Sequence, residues 1–200
     1  MATNKGIEDN DKGMNDILKE YDSLKKMILK VGIPEESGEQ DGVSIAQYAS
    51  WNELGVMRKD KSGWYIPPRP FIRTTLDTKR EKIAQAIDKN IGGLAQGGEA
   101  DAKTALARVG EAVAGLIKQT IRECPWEKNL DVTINGTQAV VVGKETKVSK
   151  KSGKAYTKNI KKQFIKGKKS NKPLIDTGTM RNSIQYVIEL NGTEIAELVK

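Results

Sequence analysis

The chain reads as an α+β protein. A small, largely antiparallel sheet packs against two longer helices, with a proline-rich arm and an extended hairpin that runs into a lysine-rich loop. Three observations predict this. Apolar residues recur with a period near 3.6 through residues 72–91 and 101–123, the mark of amphipathic helices. They alternate with period two in "LDVTIN" and in "SIQYVIEL", and each run leads into an Asn-Gly pair, a strong signal for a tight turn between strands. Ahead of them stands "WYIPPRPFIR", residues 64–73, with three of the six prolines. Proline fixes its own φ and pushes the preceding residue towards an extended conformation, so this piece is neither a helix interior nor a central strand.

Taken in order, Met14, Ile17, Leu18, Tyr21, Leu24 and Ile28 fall on one helical face over residues 14–28. The tail passes into a strand-like alternation of Met27, Leu29, Val31 and Ile33, closed by Gly32 and Pro34. "SIAQYASWNELG" reads as a short helix with Ser44 and Gln47 as a capping box and Gly55 as its C-cap; Ile45, Tyr48, Ala49 and Leu54 form its buried face. The arm is a rigid connector that plugs a core with Trp64 and Phe71, or a preformed segment that docks on a partner. Residues 72–91 continue as helix through Leu76, Ile83, Ala86, Ile87 and Ile91 until "GGLAQGG" breaks it.

Residues 101–123 form the clearest helix, with Ala102, Ala105, Leu106, Val109, Val113, Leu116, Ile117, Thr120 and Ile121 inward. Its small residues Ala105, Ala107, Gly110, Ala112, Ala114 and Gly115 allow a close neighbour, either a helix or sheet of the same chain or another subunit. Cys124 reads as a buried structural thiol. A hairpin follows, with Leu130, Val132 and Ile134 on one strand, a turn at Asn135-Gly136 and a return from Ala139 to Val142. In "PLIDTGTMRNSI", Asp176 or Thr177 caps a single helical turn, Gly178 permits the tight bend, and Met180 and Ile184 point inward. A strand over 183–190, a second Asn-Gly turn and a last strand complete the chain.

Two hundred residues make one domain, 1–200, with 130–172 as an elaboration. No apolar run approaches the ~20 residues of a membrane span, and the first residues lack the apolar core of a secretory signal. Histidine is absent, which removes Ser-His-Asp and Cys-His nucleophilic systems, imidazole acid–base chemistry and His-ligated metal sites. The single cysteine removes any disulfide within the chain. "EDND" and "EESGEQD" lack the spacing of a calcium loop, and no phosphate-binding loop is present. The expectation is a non-enzymatic protein with no cofactor and no metal.

Between Lys144 and Lys172 the composition changes. Twelve lysines face one acid, Glu145, so this segment carries +11 while the whole chain carries +8. Lys150, Lys151, Lys154, Lys158, Lys161, Lys162, Lys166, Lys168 and Lys169 are the candidate contacts. The segment contains no arginine, the residue suited to bidentate recognition, and only Tyr156 and Phe164 as aromatics. The expected partner is an acidic protein surface, with sequence-independent nucleic-acid binding as the alternative. Free in solution the segment is expected to be flexible, with "NIKKQFI" forming a turn of helix once covered.

Three blocks together carry a resemblance. "SIAQYASWNELGV", "IPPRPFIRTTLD" and "SNKPLIDTGTMRNSI" resemble the tail-completion or neck proteins of the head-to-tail junction of long-tailed bacteriophages. The matching residues are Ile45, Ala46 and Asn52 to Gly55; Ile66 to Phe71; and Pro173 to Gly178 with Met180, Ser183 and Ile184. Leu54 stands where phenylalanine is usual and Met180 where leucine is usual. In other such families the last block precedes the first, so the position in the neck is open; a tail-tube terminator or a sheath-proximal collar are neighbouring alternatives. The resemblance implies a virion structural protein assembled in the host cytoplasm and placed at the neck as a homo-oligomeric ring, often a hexamer. It would join the tail to the head connector or adaptor, touching terminator, tube or sheath proteins. It implies subunit or partner contacts at Trp51, Trp64, Pro67, Pro68, Arg69, Pro70, Phe71, Arg73, Asp176, Thr177 and Arg181.

Overall fold

The computed structural model describes residues 12–60, 63–96, 101–129, 136–148, 154–166, 174 and 178–197. The elements in order are α1 (Lys12–Leu24), β1 (Met27–Gly32), a 3-10 turn (Glu35–Ser37), β2 (Glu39–Gln40), β3 (Val43–Ser44), α2 (Ile45–Leu54), β4 (Val56–Met57) and β5 (Trp64–Ile66). Then come α3 (Phe71–Thr78), α4 (Arg80–Ala95), α5 (Ala102–Glu123), β6 (Gly136–Val148), β7 (Ala155–Lys166), a helical turn (Thr179–Asn182), β8 (Gln185–Leu190) and β9 (Thr193–Glu197). The expected α+β class holds. The chain divides into a core unit, residues 1–123 with 179–200, and a second unit, Cys124–Gly178.

In the core unit the sheet has the order β1-β8-β9, antiparallel throughout, so an early strand and a late one lie side by side. Met27 stands opposite Leu190 and Gly32 opposite Gln185. Asn191 and Gly192 join β8 to β9 with φ of 50° and 82°, the left-handed pair that a tight hairpin needs and that the Asn-Gly signal anticipates. Along β1, Ile28 and Lys30 face outward, and Lys30 Nζ reaches Glu189 Oε1 at 2.6 Å across the outer face.

Helix α5 lies against β1 and β8. The crossing occurs at Gly110: a Cβ there would stand 2.6 Å from Cγ of Tyr186 and 3.0 Å from Cδ1 of Leu29. Only a residue without a side chain lets the helix come this close. Gly110 thus serves helix-on-sheet packing within the chain. On other sides α5 meets α3, α4 and α1. The hydroxyls of Thr75 and Thr120, both fully buried, sit 2.7 Å apart and satisfy one another between α3 and α5. Glu20 of α1 accepts the Ala102 N–H at 2.7 Å and Asp101 accepts that of Thr104 at 2.6 Å, so two carboxylates cap the start of α5. Leu94, Ala102 and Ala105 close this end with Leu24, Met27 and Ile91 packed on them.

Several expectations are corrected. The first helix ends at Leu24 because β1 claims the chain from Met27; Met14, Leu18 and Ile28 are more than half exposed. The helix expected over 72–91 is broken at Lys79 (φ −118°, ψ 21°). The break turns Lys79, itself nearly buried, onto Glu123 with Nζ–O distances of 2.8 and 2.9 Å. Leu76 and Ile87, expected inward, remain largely exposed. Gly92 and Gly93 do not end α4, which runs on to Ala95 because Leu94 gains a buried place; that burial outweighs the helix cost of glycine. Ser44 makes no side-chain cap bond. Cys124 is only partly buried and has φ of 50°, the left-handed reversal that follows a helix end.

The second unit differs most from expectation. Residues 130–135 lie outside the described residues, and Gly136 begins a strand rather than turning one. The hairpin is β6 against β7, from Gly136 opposite Lys166 to Val148 opposite Ala155, with several register irregularities. Among the described residues the lysine segment, expected to be flexible, is strand over 144–148 and 155–166, and "NIKKQFI" is extended in the chain alone. The β-forming residues of β7 (Tyr156, Thr157, Ile160, Phe164, Ile165) outweigh its charge. The register opposes no lysine to another: Lys144 faces Asn159, Lys147 faces Tyr156, Lys161 faces Gly143, Lys162 faces Val141, and Lys158 faces Glu145.

Two glycines of α5 provide a matched test. Gly110→Ala should lose about 1–2 kcal/mol, overpacking outweighing the helix propensity gained. Gly115→Ala, where a Cβ meets nothing within 4 Å, should gain up to about 1 kcal/mol. Urea unfolding of both variants checks this. A second test uses acid. The Lys79 ammonium, and then the Gln119 amide, hold the Glu123 carboxyl below its ordinary value of 4.5. A depressed carboxylate contributes stability that is complete above the unfolded-state value and lost as pH falls through the folded-state value. The unfolding temperature should therefore drop in that acid window, and drop less in Glu123→Gln, which starts lower at neutral pH.

Candidate functional site

The first two sequence blocks of the resemblance meet at the C-terminal end of α2. Gly55 ends the helix with φ of 77°, its N–H donating to Trp51 O at 2.9 Å. A Cβ on Gly55 would lie 2.8 Å from Cζ3 of Trp64 and 2.9 Å from Cδ of Pro68, so glycine is needed for both its conformation and its space. The chain then makes the ribbon of β4 and β5, with Val56 opposite Ile66 and Met57 opposite Trp64. The prolines carry it back along α2, where the Arg69 N–H donates to Asn52 O at 2.6 Å. The Asn52 side chain is buried and donates to Tyr48 O at 2.8 Å.

Helix α3 begins after Pro70, which has no side chain able to cap it. Glu53 supplies the cap from α2: its two carboxylate oxygens accept the N–H groups of Ile72 and Arg73 at 3.0 and 3.1 Å. A negative group at the positive end of a helix satisfies orphan donors and the helix dipole together. Phe71, only 1% exposed, drops into the core just behind. "NELG" and "PPRPF" are thus two halves of one joint. Of the expected plug, Phe71 fills the role; Trp64 packs over Gly55 but stays 47% exposed, because the ribbon holds its ring at the surface.

The third block also reaches α2. The turn Thr179–Asn182 packs against α2 and α5, with Gly178 at φ of 81°, Met180 and Ile184 buried as expected, and Ser183 Oγ donating to Thr179 O at 3.0 Å. Asp176 and Thr177 lie outside the described residues. Arg181 is half-buried on this turn; burial first, and then the Arg181 charge, hold the Lys118 ammonium below its ordinary 10.5.

Of the expected contact residues, Trp51, Arg69 and Pro70 are half-buried, while Pro67, Pro68, Trp64 and Arg73 are exposed. The lysines belong to the second unit: Lys154 is exposed before β7, Lys158, Lys161, Lys162 and Lys166 stand on β7, and Lys150, Lys151, Lys168 and Lys169 lie outside the described residues. Sequence reasoning missed the apolar surface beside the joint. Leu54 (63% exposed), expected inward, joins Met57, Trp64 and Tyr65 (73% exposed) at the surface of the ribbon and the helix end that feeds it. Leu54 also borders a cleft of about 260 Å³ lined by Ile33, Ala46, Ala49 and Ile72. Glu53 had a signal: an acid closing one helix shortly before a proline-led helix that has no cap of its own.

Among the described residues no helix is long and apolar enough to cross a membrane, and no group of three His, Cys, Asp or Glu is placed to hold a metal. No family model, no curated protein and no solved structure matches the chain.

The joint is testable by stability. Glu53→Ala should lose about 1–2 kcal/mol, the value of a helix cap, and Glu53→Gln less. Gly55→Ala should also destabilise, by more than ~1 kcal/mol, because it combines positive φ with steric conflict. Chemical unfolding followed by circular dichroism measures all three.

Proposed function

We propose that the chain is a non-enzymatic structural protein of a virion, forming a homo-oligomeric ring at the phage neck and joining the tail to the head connector. The observation that carries this reading is the convergence on α2 of the three blocks that resemble neck proteins: α2 itself, the arm locked to it through Asn52 and Glu53, and the turn after Gly178. Blocks far apart in the sequence are parts of one assembly, as expected if they are inherited as a unit.

A ring of identical subunits needs a heterologous contact, in which one face of a subunit meets a different face of the next. The arm suits that role. Its backbone is tied to α2 and preset by proline, so little conformational entropy is lost on docking. It leaves Trp64 and Tyr65 exposed, with Met57 opposite Trp64 on the ribbon, and large aromatics are typical anchors of binding hot spots. We take this ribbon as one half of the subunit contact.

The test is the solution mass. By mass photometry and analytical ultracentrifugation the purified chain should form a closed oligomer at micromolar concentration. Tyr65→Asp and Leu54→Asp should each reduce it to monomers with unchanged circular dichroism. A wild-type chain that stays monomeric, alone and with neck partners, would overturn the ring; normal assembly of both variants would move the contact away from the ribbon.

A further inference from the structure

The second unit concentrates charge in an element the ring does not explain. Strands β6 and β7 hold six lysines (Lys144, Lys147, Lys158, Lys161, Lys162 and Lys166) against Glu145, a net charge of +5 on one two-stranded ribbon. Like charges directly opposite one another weaken a strand pair. The register avoids this throughout, opposing every one of these lysines to an uncharged residue or to Glu145. Charge is thus packed onto the ribbon without breaking its pairing, although repulsion along it remains. A two-stranded hairpin alone is marginally stable in water, and a ligand that binds only the paired form would favour it by mass action.

We propose that this ribbon binds the phosphate backbone of duplex nucleic acid. At ~3.4 Å per residue, strands of 12 and 13 residues extend about 40 Å, close to one turn of a B-form duplex at about 34 Å. The major groove admits a two-stranded ribbon. The cations are all lysine: no arginine occurs between Arg122 and Arg181. Lysine binds phosphate as a compact point charge, and without arginine the ribbon has no bidentate fork for reading base edges. The register spreads these lysines over ten residue steps, from Lys147 opposite Tyr156 to Lys166, about 34 Å at ~3.4 Å per residue, which matches a linear polyanion with one charge per ~1.7 Å better than a folded acidic surface. The result is sequence-independent binding. It does not depend on the ring reading.

The experiment uses the full chain and a fluorescein-labelled duplex of about 30 base pairs with arbitrary sequence, followed by anisotropy. Six phosphate contacts predict that affinity falls about a thousandfold between ~50 and ~200 mM salt. Replacing Lys158, Lys161, Lys162 and Lys166 together by Gln should lower low-salt affinity about a hundredfold and reduce the log–log salt slope by about 3–4. The oligomer mass and the unfolding curve of this variant, read in parallel, should not change, which separates this result from any failure of the ring. No binding at low salt, or undiminished binding by the variant, would overturn the proposal. Equal affinity for polyglutamate of matched charge would overturn it in favour of an acidic protein partner.

Discussion

The close approach of α5 to the sheet at Gly110 is the constraint on which the core unit rests. Tyr186 and Leu29 belong to neighbouring strands, and both press on the same point of the helix. That contact sets the distance between helix and sheet. Once α5 is seated there, Thr120 lies where Thr75 can meet its hydroxyl, Glu123 lies where Lys79 arrives, and Ala102 reaches the carboxylate of Glu20. Each of these polar contacts is geometrically demanding, because a buried hydroxyl or ammonium left without its partner would cost more than the bond contributes. A shift of α5 by the width of one methyl group would disturb all of them together.

Much of this was legible in the sequence, for physical reasons. The period of α5 is clean because one wide face is buried along its whole length. The last hairpin is legible because Asn-Gly accepts two left-handed residues at little cost. What failed had competing causes. The break at Lys79 has no proline or glycine to announce it; it comes with an ion pair to the distant Glu123. Gly92 and Gly93 advertise a stop that the burial of Leu94 overrides. The lysine ribbon was hidden because charge content suggests a solvated loop, whereas strand formation depends on β-forming residues and on register, and register is a relation between two segments that neither shows alone.

At the candidate site the prolines and glycines were readable as stiff and special, and the partner of each was not. The carboxylate of Glu53 serves a helix that starts nearly twenty residues later, and the carbonyl of Asn52 serves Arg69. The same residues that make the arm conspicuous are largely occupied in holding it. The surface left over for a partner is composed of Leu54, Met57, Trp64 and Tyr65, whose exposure follows only from how the joint is folded.

The central strand β8 lies between β1 and β9, and its pairing with β1 spans 159 residues where Lys30 meets Glu189. A contact so distant in the chain closes late, since the entropy of loop closure must be met before the pairing returns anything. During synthesis, the edge of β1 that pairs with β8, and the part of α5 that β8 covers, stay open until residues 185–190 have left the ribosome. Until then the backbone groups along one edge of β1 lack their partner strand. A ribosome stalled before residue 185 would hold a species with that edge open and prone to pair with its neighbours.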